Sequence, residues 1–326
     1  MTDTGRAVAW RPAASRAAVQ QRARALAQIR QFFAARAVLE VTTPVMVRAA
    51  VTDLHLASAR VVLPGDEANA RFLHTSPEYA MKRLLASGSG DIYQICQVVR
   101  GFERGRLHNS EFTLLEWYRQ GATLEQLMEE VHALVELVAG RRLPLERLTY
   151  AQAFERLLSL DPLEATLETL RGRAVELGFC ARDAHRLHRD ALLDFLLTAA
   201  VGPHLGQGNL TFLHRYPASQ AALARLDPAD RRVALRFEAY FQGIELANGF
   251  DELTDPAQQR ERFECDLRER QKHGLPAGHV DERLLAALAA GLPACCGVAL
   301  GFDRLVMLAG AYQQIDSVLS FPDELA

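Results

Sequence analysis

DIYQICQVVR GFERGRLHNS EFTLLEWYR, residues 91–119, is the stretch from which the fold is read. Asp91–Arg100 and Glu111–Arg119 carry the β-branched and aromatic residues of strands. The segment between them holds Gly101, Gly105 and Asn109, which break regular structure. The spacing predicts a β-hairpin with a long connection. Side chains alternate along a strand, so Phe112, Leu114, Glu116 and Tyr118 fall on one face. A carboxylate and a phenol beside two apolar residues suit a pocket wall better than a solvated surface.

Helical patterns flank the hairpin. Ala25, Ile29 and Phe32 recur at helical spacing within Ser15–Val38, and Leu39–Met46 is extended because the Thr43-Pro44 step disfavours helix. Ser76–Leu85 reads as a short helix with Pro77 near its first position. Thr123–Gln126 forms a capping box that opens a helix running to Gly140. Residues 150–205 are helix-rich and are expected to form a helical insertion. Strands return at Asn209–His214 and Arg232–Phe241, and Asp255-Pro256 starts a helix running to about His273. The chain closes with an apolar strand, Cys296–Leu300, then Gly301 and a helix from Phe302 to about Leu308. Strands among long helices predict an α+β fold around a central antiparallel sheet flanked by helices.

Composition narrows the function class. The chain has 326 residues, 49% hydrophobic and 24% charged, enough for a sizeable core. Its net charge of −3 counts against a broad nucleic-acid surface. The run Ala191–Val201 is too short to span a bilayer and is interrupted by Asp194. Met1–Ser15 has no apolar core of a signal peptide. The 5 cysteines are odd in number and lack metal-ligand spacing, as expected of reduced thiols in a cytoplasmic protein.

Three constellations carry chemistry. In the first, Arg100, Arg104, Arg106 and His108 lie at the hairpin end, with Glu116 and Tyr118 on the return strand. A guanidinium pairs with carboxylate or phosphate, and a buried Glu beside a Tyr suits an ammonium group. A solvated hairpin with incidental charges is the alternative. The second is Glu238, Glu245, Asn248 and Glu252; paired carboxylates near phosphates can hold Mg²⁺, and a charged hairpin explains them as readily. In the third, Gly297–Arg304, a strand runs through Gly301 into a helix whose first turn points Arg304 at an anion. A tight turn with a solvated arginine remains open there.

The order of these segments is more specific than their separate physics. LEVTTP (39–44), Arg100 with HNSEFT (108–113) and GFDR (301–304) resemble motifs 1, 2 and 3 of class II aminoacyl-tRNA synthetases. EFTLLEWY (111–118) and ELANGFDEL (245–253) resemble the lysyl branch, and the likeness runs from about residue 15 to 320. Lysyl-tRNA synthetases carry an additional N-terminal OB-fold, for which the stretch before Ser15 leaves no room. Short chains of this kind resemble the ligases that attach (R)-β-lysine to a lysine side chain of elongation factor P. HTSPEY (74–79) looks like their substrate-loop signature, and Ala299 matches them where tRNA-charging relatives usually have glycine.

The resemblance implies a single catalytic domain over residues 1–326, using ATP and Mg²⁺. It implies that Arg100 and Arg304 are catalytic, holding the α- and γ-phosphates, and that Glu238 and Glu245 bind the metal. Ser76, Pro77, Glu78, Glu116, Tyr118, Asn248, Glu252 and Ala299 would line the site for (R)-β-lysine or lysine. Gly101, Phe102, Glu103, His108, Asn109, Phe112, Leu246 and Gly301 would join Arg100, Glu245 and Arg304 around ATP. A homodimer through the Pro44 region and elongation factor P are the implied partners, with tRNA and membrane disfavoured. One departure is visible: the family usually reads Arg-Asn-Glu-Glu where this chain has Arg100-Gly101-Phe102-Glu103. Glu103 is then expected to take the adenine contact, with Phe102 packed nearby, or else adenine is held by backbone and stacking alone. Two other readings are a free-standing ligase for tRNA or a small amine, and an inactive paralogue acting as a regulatory subunit.

Overall fold

A computed structural model describes residues 10–326 apart from 68, 102 and 277, so the expectation for Phe102 lies outside the described residues. The strands are β1 Leu39–Glu40, β2 Met46–Val47, β3 Arg60–Val61, β4 Arg71–Leu73, β5 Ile92–Val99 and β6 Glu111–Gln120, followed by β7 Leu145–Thr149, β8 Leu210–Pro217, β9 Val233–Phe241, β10 Ile244–Asp251 and β11 Cys295–Gly301. The α-helices are α1 Arg16–Ala34, α2 Glu78–Ala86, α3 Leu124–Ala139, α4 Tyr150–Leu158 and α5 Leu167–Glu176, then α6 Ala181–Ala184, α7 Arg189–Leu196, α8 Pro256–Lys272, α9 Glu282–Gly291 and α10 Phe302–Ala309.

Eight strands form one sheet in the order β1-β5-β6-β11-β10-β9-β8-β7. Its centre is antiparallel, as the hairpin pattern predicted, but β1–β5 and β7–β8 pair in parallel at the two edges. The expected antiparallel sheet is therefore mixed, and the reason is topological. A parallel pair needs a long crossover rather than a tight turn. The helix-rich stretch after residue 150 is that crossover, carrying the chain from β7 to β8. Its helices share a hydrophobic cluster with Leu213, Tyr216 and Tyr240 of β8 and β9. The small sheet β2-β4-β3 and helix α9 had no expectation attached to them.

The predicted hairpin pairs Ile92 with Tyr118 through Val99 with Glu111. Alternation along β6 then sorts its side chains. Leu115 and Trp117 enter the main core with Ile29 and Phe33 of α1, Leu134 of α3 and Phe302 of α10. Glu116 and Tyr118 face the other side, where Tyr118 packs with Met81 and Leu85 of α2, Phe263 of α8 and Leu284 of α9. The caps behave as read: Thr123 closes a capping box on α3, Gly140 ends it at φ 66°, and Asp255 caps α8. Pro77 precedes α2 as its N-cap residue and gives no side-chain bond.

One polar knot joins these layers. Asp303, 1% exposed at the start of α10, accepts from Arg22 of α1 and, through its other oxygen, from the backbone N–H of Thr113 on β6 at 2.7 Å. Arg22 also reaches Thr113 Oγ1 at 2.5 Å. Removing the carboxylate would leave a buried N–H and a partly buried guanidinium without an acceptor. Asp303→Ala is expected to lower unfolding free energy by about 3 kcal/mol, read as a reduced urea midpoint with unchanged slope.

Candidate active site

Strands β6, β11 and β10 form the floor of a cavity of about 670 Å³. It is walled by the loop before α2, the motif-like loop after β5 and the first turn of α10. The helix start matters at one end. Pro77 and the Ser76 hydroxyl, which accepts from the Glu78 N–H at 3.0 Å, turn the chain so that α2 begins over the sheet. At the other end Gly301 ends β11 and α10 begins at once, so Arg304 projects from its first turn.

One end of the cavity is acidic. Glu116 accepts from Ser76 Oγ at 2.6 Å and from the Tyr118 hydroxyl at 2.7 Å. Burial, and after it the charge of Glu78, pushes the Glu116 carboxyl up to about 7. Glu252 at the end of β10 is 2% exposed and burial raises it to about 8, against the pull of Lys82. Lys82 lies one helical turn beyond Glu78, donates to Glu78 Oε1 at 2.7 Å and forms an ion pair with Glu252 Oε2 at 2.6 Å. Burial alone would lower the Lys82 pKa; Glu252 and Glu78 instead raise it above its ordinary value. Gly297 makes this packing possible, since a Cβ there would overlap the Tyr118 ring and come within 2.5 Å of Glu252 Oε1.

The other end is cationic. Arg100 spends only its Nε on Thr75 O at 3.3 Å and lies 5.1 Å over the Phe112 ring. Among the described residues its terminal nitrogens meet no protein acceptor, which leaves them for a carboxylate or phosphate. Arg304 donates to Glu245 O at 2.9 Å and to His108 Nε2 at 2.6 Å. A guanidinium can only donate, so that imidazole nitrogen is unprotonated. Burial, then the Arg304 charge, lowers the His108 pKa in agreement. Burial and the neighbouring Glu238 push Glu245 up to about 7, partly offset by Arg304.

Most residues singled out from the sequence meet here. Ser76, Pro77, Glu78, Glu116 and Tyr118 line the cavity with Asn248, Glu252 and Ala299. So do Arg100, Glu103, His108, Asn109 and Phe112, and on the last strands Glu245, Leu246, Gly301 and Arg304. Gly101 and Glu238 do not. Gly101 turns away, donating its N–H to Ala57 O at 2.8 Å. Glu238 sits behind Glu245 with one oxygen bonded by Arg236 at 2.6 Å and the other by the Tyr240 hydroxyl at 2.7 Å. Asn109 lines the wall with its amide oxygen bonded by Arg104 at 2.6 Å and by Asp323 N at 3.0 Å.

Among the residues that the sequence pattern did not single out, two hold the site's carboxylates in place. Lys82 at i+4 from Glu78 has the spacing of an exposed helix pair, and only its 1% exposure marks it out. Arg236 is two residues before Glu238 on one strand face and bonds Asn248 Oδ1 at 3.2 Å as well as Glu238. That i, i+2 relation was the signal available.

The raised Glu116 makes a testable demand on stability. Unfolded, its carboxyl ionises at the usual value near 4.5, whereas folded it keeps its proton until about 7. The folded state thus binds more protons between these values, and stability falls as pH rises through that window. Glu116→Gln removes this slope. In urea titrations from pH 5 to 7, wild type is expected to lose stability relative to the variant by on the order of 1 kcal/mol per pH unit, with parallel behaviour above pH 7.

Known proteins bear on this geometry. The family model of class II tRNA synthetases (D, K and N) matches residues 3–325. A Salmonella dublin protein named elongation factor P–(R)-β-lysine ligase is 50% identical over 315 residues, covering 96% of this chain and 97% of its own. Proteins of the same name from Salmonella enteritidis and Salmonella paratyphi C match with the same identity and coverage. With an eight-stranded mixed sheet flanked by helices and a match along nearly its whole length, the chain belongs to the class II tRNA synthetase family of the D, K and N type.

Proposed function

We propose that this protein is an ATP-dependent ligase that activates (R)-β-lysine, or lysine, as its adenylate and transfers it to a lysine side chain of elongation factor P. The observation that carries the reading is the polarity of this cavity. Three carboxylates, Glu78, Glu116 and Glu252, gather at one end, and Arg100 and Arg304 at the other. An amino acid with a carboxylate at one end, an ammonium at the other and a second ammonium nearer the carboxylate fits this polarity. The 50% identity to the Salmonella ligases supports the donor and acceptor named.

The reaction follows from these positions in two steps. The substrate carboxylate, held beside ATP by Arg100, attacks the α-phosphorus, giving the aminoacyl-adenylate and pyrophosphate. The acceptor amine then attacks the adenylate carbonyl and AMP leaves. Arg100 and Arg304 offset negative charge that accumulates as the α-phosphorus is attacked, and fixed charges in a half-closed cavity need little reorganisation. Gly297 and Val298 keep the floor thin and apolar, while Ala299 adds one methyl beside the acidic end.

Of the two carboxylates expected to hold Mg²⁺, Glu245 fits: it is half-exposed on the cavity wall and raised by burial and by Glu238 behind it, a repulsion a divalent cation would relieve. Glu238 would join it only by giving up Arg236 or Tyr240. No group of three or more metal-ligating side chains occurs among the described residues, so the ion would take its other ligands from phosphate oxygens and water, as Mg²⁺ prefers. The metal would supply charge neutralisation on the phosphates. We assign the adenine contact to Glu103, which lines the cavity wall next to His108. We also assign a homodimer interface to the region around Pro44, where Leu39, Val45, Met46 and Val62 are exposed apolar side chains. No helix of the described residues is long and apolar enough to cross a membrane. A cytoplasmic location suits an enzyme acting on a translation factor.

Incubating the protein with elongation factor P, ATP, Mg²⁺ and (R)-β-lysine is expected to add the mass of one β-lysyl group to the factor. Pyrophosphate release without that gain would shift the acceptor, and neither signal would favour a regulatory role. Arg304→Ala is expected to cost on the order of a hundredfold in kcat/KM for pyrophosphate release. Glu103→Ala is expected to raise KM for ATP with KM for the amino acid unchanged; an unchanged KM for ATP would return adenine recognition to backbone and stacking.

A further inference from the structure

Lys82 does not line the cavity, yet it contacts two of the three carboxylates that do. It is 1% exposed and sits on α2, one turn beyond the loop that supplies Ser76 and Glu78. Glu252 belongs to the opposite wall, just past β10. The ammonium therefore cross-links the substrate loop's helix to the sheet, using Oε1 of Glu78 and Oε2 of Glu252. The second oxygen of each carboxylate is left unused by Lys82.

We propose that Lys82 is a positioning residue for specificity: it ties Glu78 and Glu252 together at fixed separation, so that the cavity selects a substrate with two ammonium groups over one with a single ammonium. The proposal rests on the ligase reading above and deepens it. The geometry gives the reason: Lys82 uses one oxygen of Glu78 and one of Glu252, and a diamino acid brings two ammonium groups to a wall where the other oxygens are held in place. A buried carboxylate lacking a cation takes up a proton instead, and a protonated carboxyl no longer attracts ammonium strongly. At Glu252 the Lys82 ammonium opposes the upward push of burial. The other titratable groups facing the cluster are Glu116 and Tyr118 from β6, Tyr79 from α2, Cys96 from β5 and Cys295 from β11. Burial pushes the two phenols and two thiols upward, so they stay neutral, while Glu116, itself pushed up to about 7, gains its charge only above that pH.

Calorimetric binding to the full chain separates this role from simple structural support, because it needs no turnover. The probes are (R)-β-lysine, 6-aminohexanoate as a single-ammonium analogue, and ATP. Lys82→Met is expected to weaken (R)-β-lysine binding by about thirtyfold, the usual consequence of truncating one partner of a buried charge pair. Binding of 6-aminohexanoate should fall much less, ATP binding should stay within about twofold, and the pH at which (R)-β-lysine binding reaches its plateau should move up. Equal (R)-β-lysine binding by wild type and variant overturns the proposal. So does a parallel loss for all three probes with the plateau pH unmoved, the pattern of a merely structural residue. If wild type itself binds no diamino acid, it is the ligase reading of the cavity that fails. Should Lys82→Met not fold, Lys82→Arg decides: its larger planar cation keeps the charge but not the spacing, and is expected to weaken (R)-β-lysine binding by about fivefold with ATP unaffected. Unchanged binding in that variant overturns the proposal.

Discussion

The knot of Arg22, Thr113 and Asp303 is the interaction on which the architecture of the cavity depends. It joins the first helix, the return strand of the hairpin and the last long helix, three segments far apart in sequence. Asp303 is adjacent to Arg304, and Thr113 is adjacent to Phe112 and three residues before Glu116. Fixing the knot therefore fixes the distance between the cationic end of the cavity and its acidic end. A carboxylate with two committed oxygens is a more exacting joint than apolar packing, since each bond has a direction as well as a length.

From that joint the site follows by alternation. Leu115 and Trp117 are taken by the core formed with α1, α3 and α10, so Glu116 and Tyr118 must face the other way. Cross-strand register carries the same logic to β11 and β10, where Ala299 lies opposite Glu116 and Asn248 opposite Ala299. Gly297 lies between Tyr118 and Phe250 in register, and its missing Cβ is the space that Tyr118 and Glu252 occupy. Polar side chains from β6 and the end of β10 thus come together over the small Gly297 and Ala299 of β11. The free-energy cost of burying their charges is met locally, by the Ser76 and Tyr118 hydroxyls at Glu116 and by the Lys82 ammonium at Glu252 and Glu78.

At the far end the same burial has a different consequence. Glu238 and Glu245 repel each other, Arg236 and Arg304 offset part of that repulsion, and Arg100 keeps its terminal nitrogens free of described protein acceptors. The C-terminal segment supports this end, with Ile315 N–H bonding Arg106 O at 2.9 Å and Asp323 meeting both Ser110 and Asn109. The loop after β5 is thereby held against the sheet from outside the cavity.

The hairpin, the face shared by Glu116 and Tyr118, the capped helices and the order of motif-like segments are all legible along the chain, because each depends on residues near one another in it. Period-two alternation, a Thr123–Gln126 box and a glycine before Arg304 are local physics. Long-range packing set what local physics could not reach. The parallel edges of the sheet arise from crossovers whose direction no strand encodes. Lys82 has the spacing of a solvated pair and becomes a buried cross-link only because Glu252, 170 positions later, is folded against it. Glu238 and Glu245 look equivalent in sequence, yet the bulge between Glu245 and Ala247 leaves one at the cavity wall and the other behind it, bound by Arg236 and Tyr240. Charges are legible from sequence; their burial, and hence their chemistry, is set by what the fold brings against them.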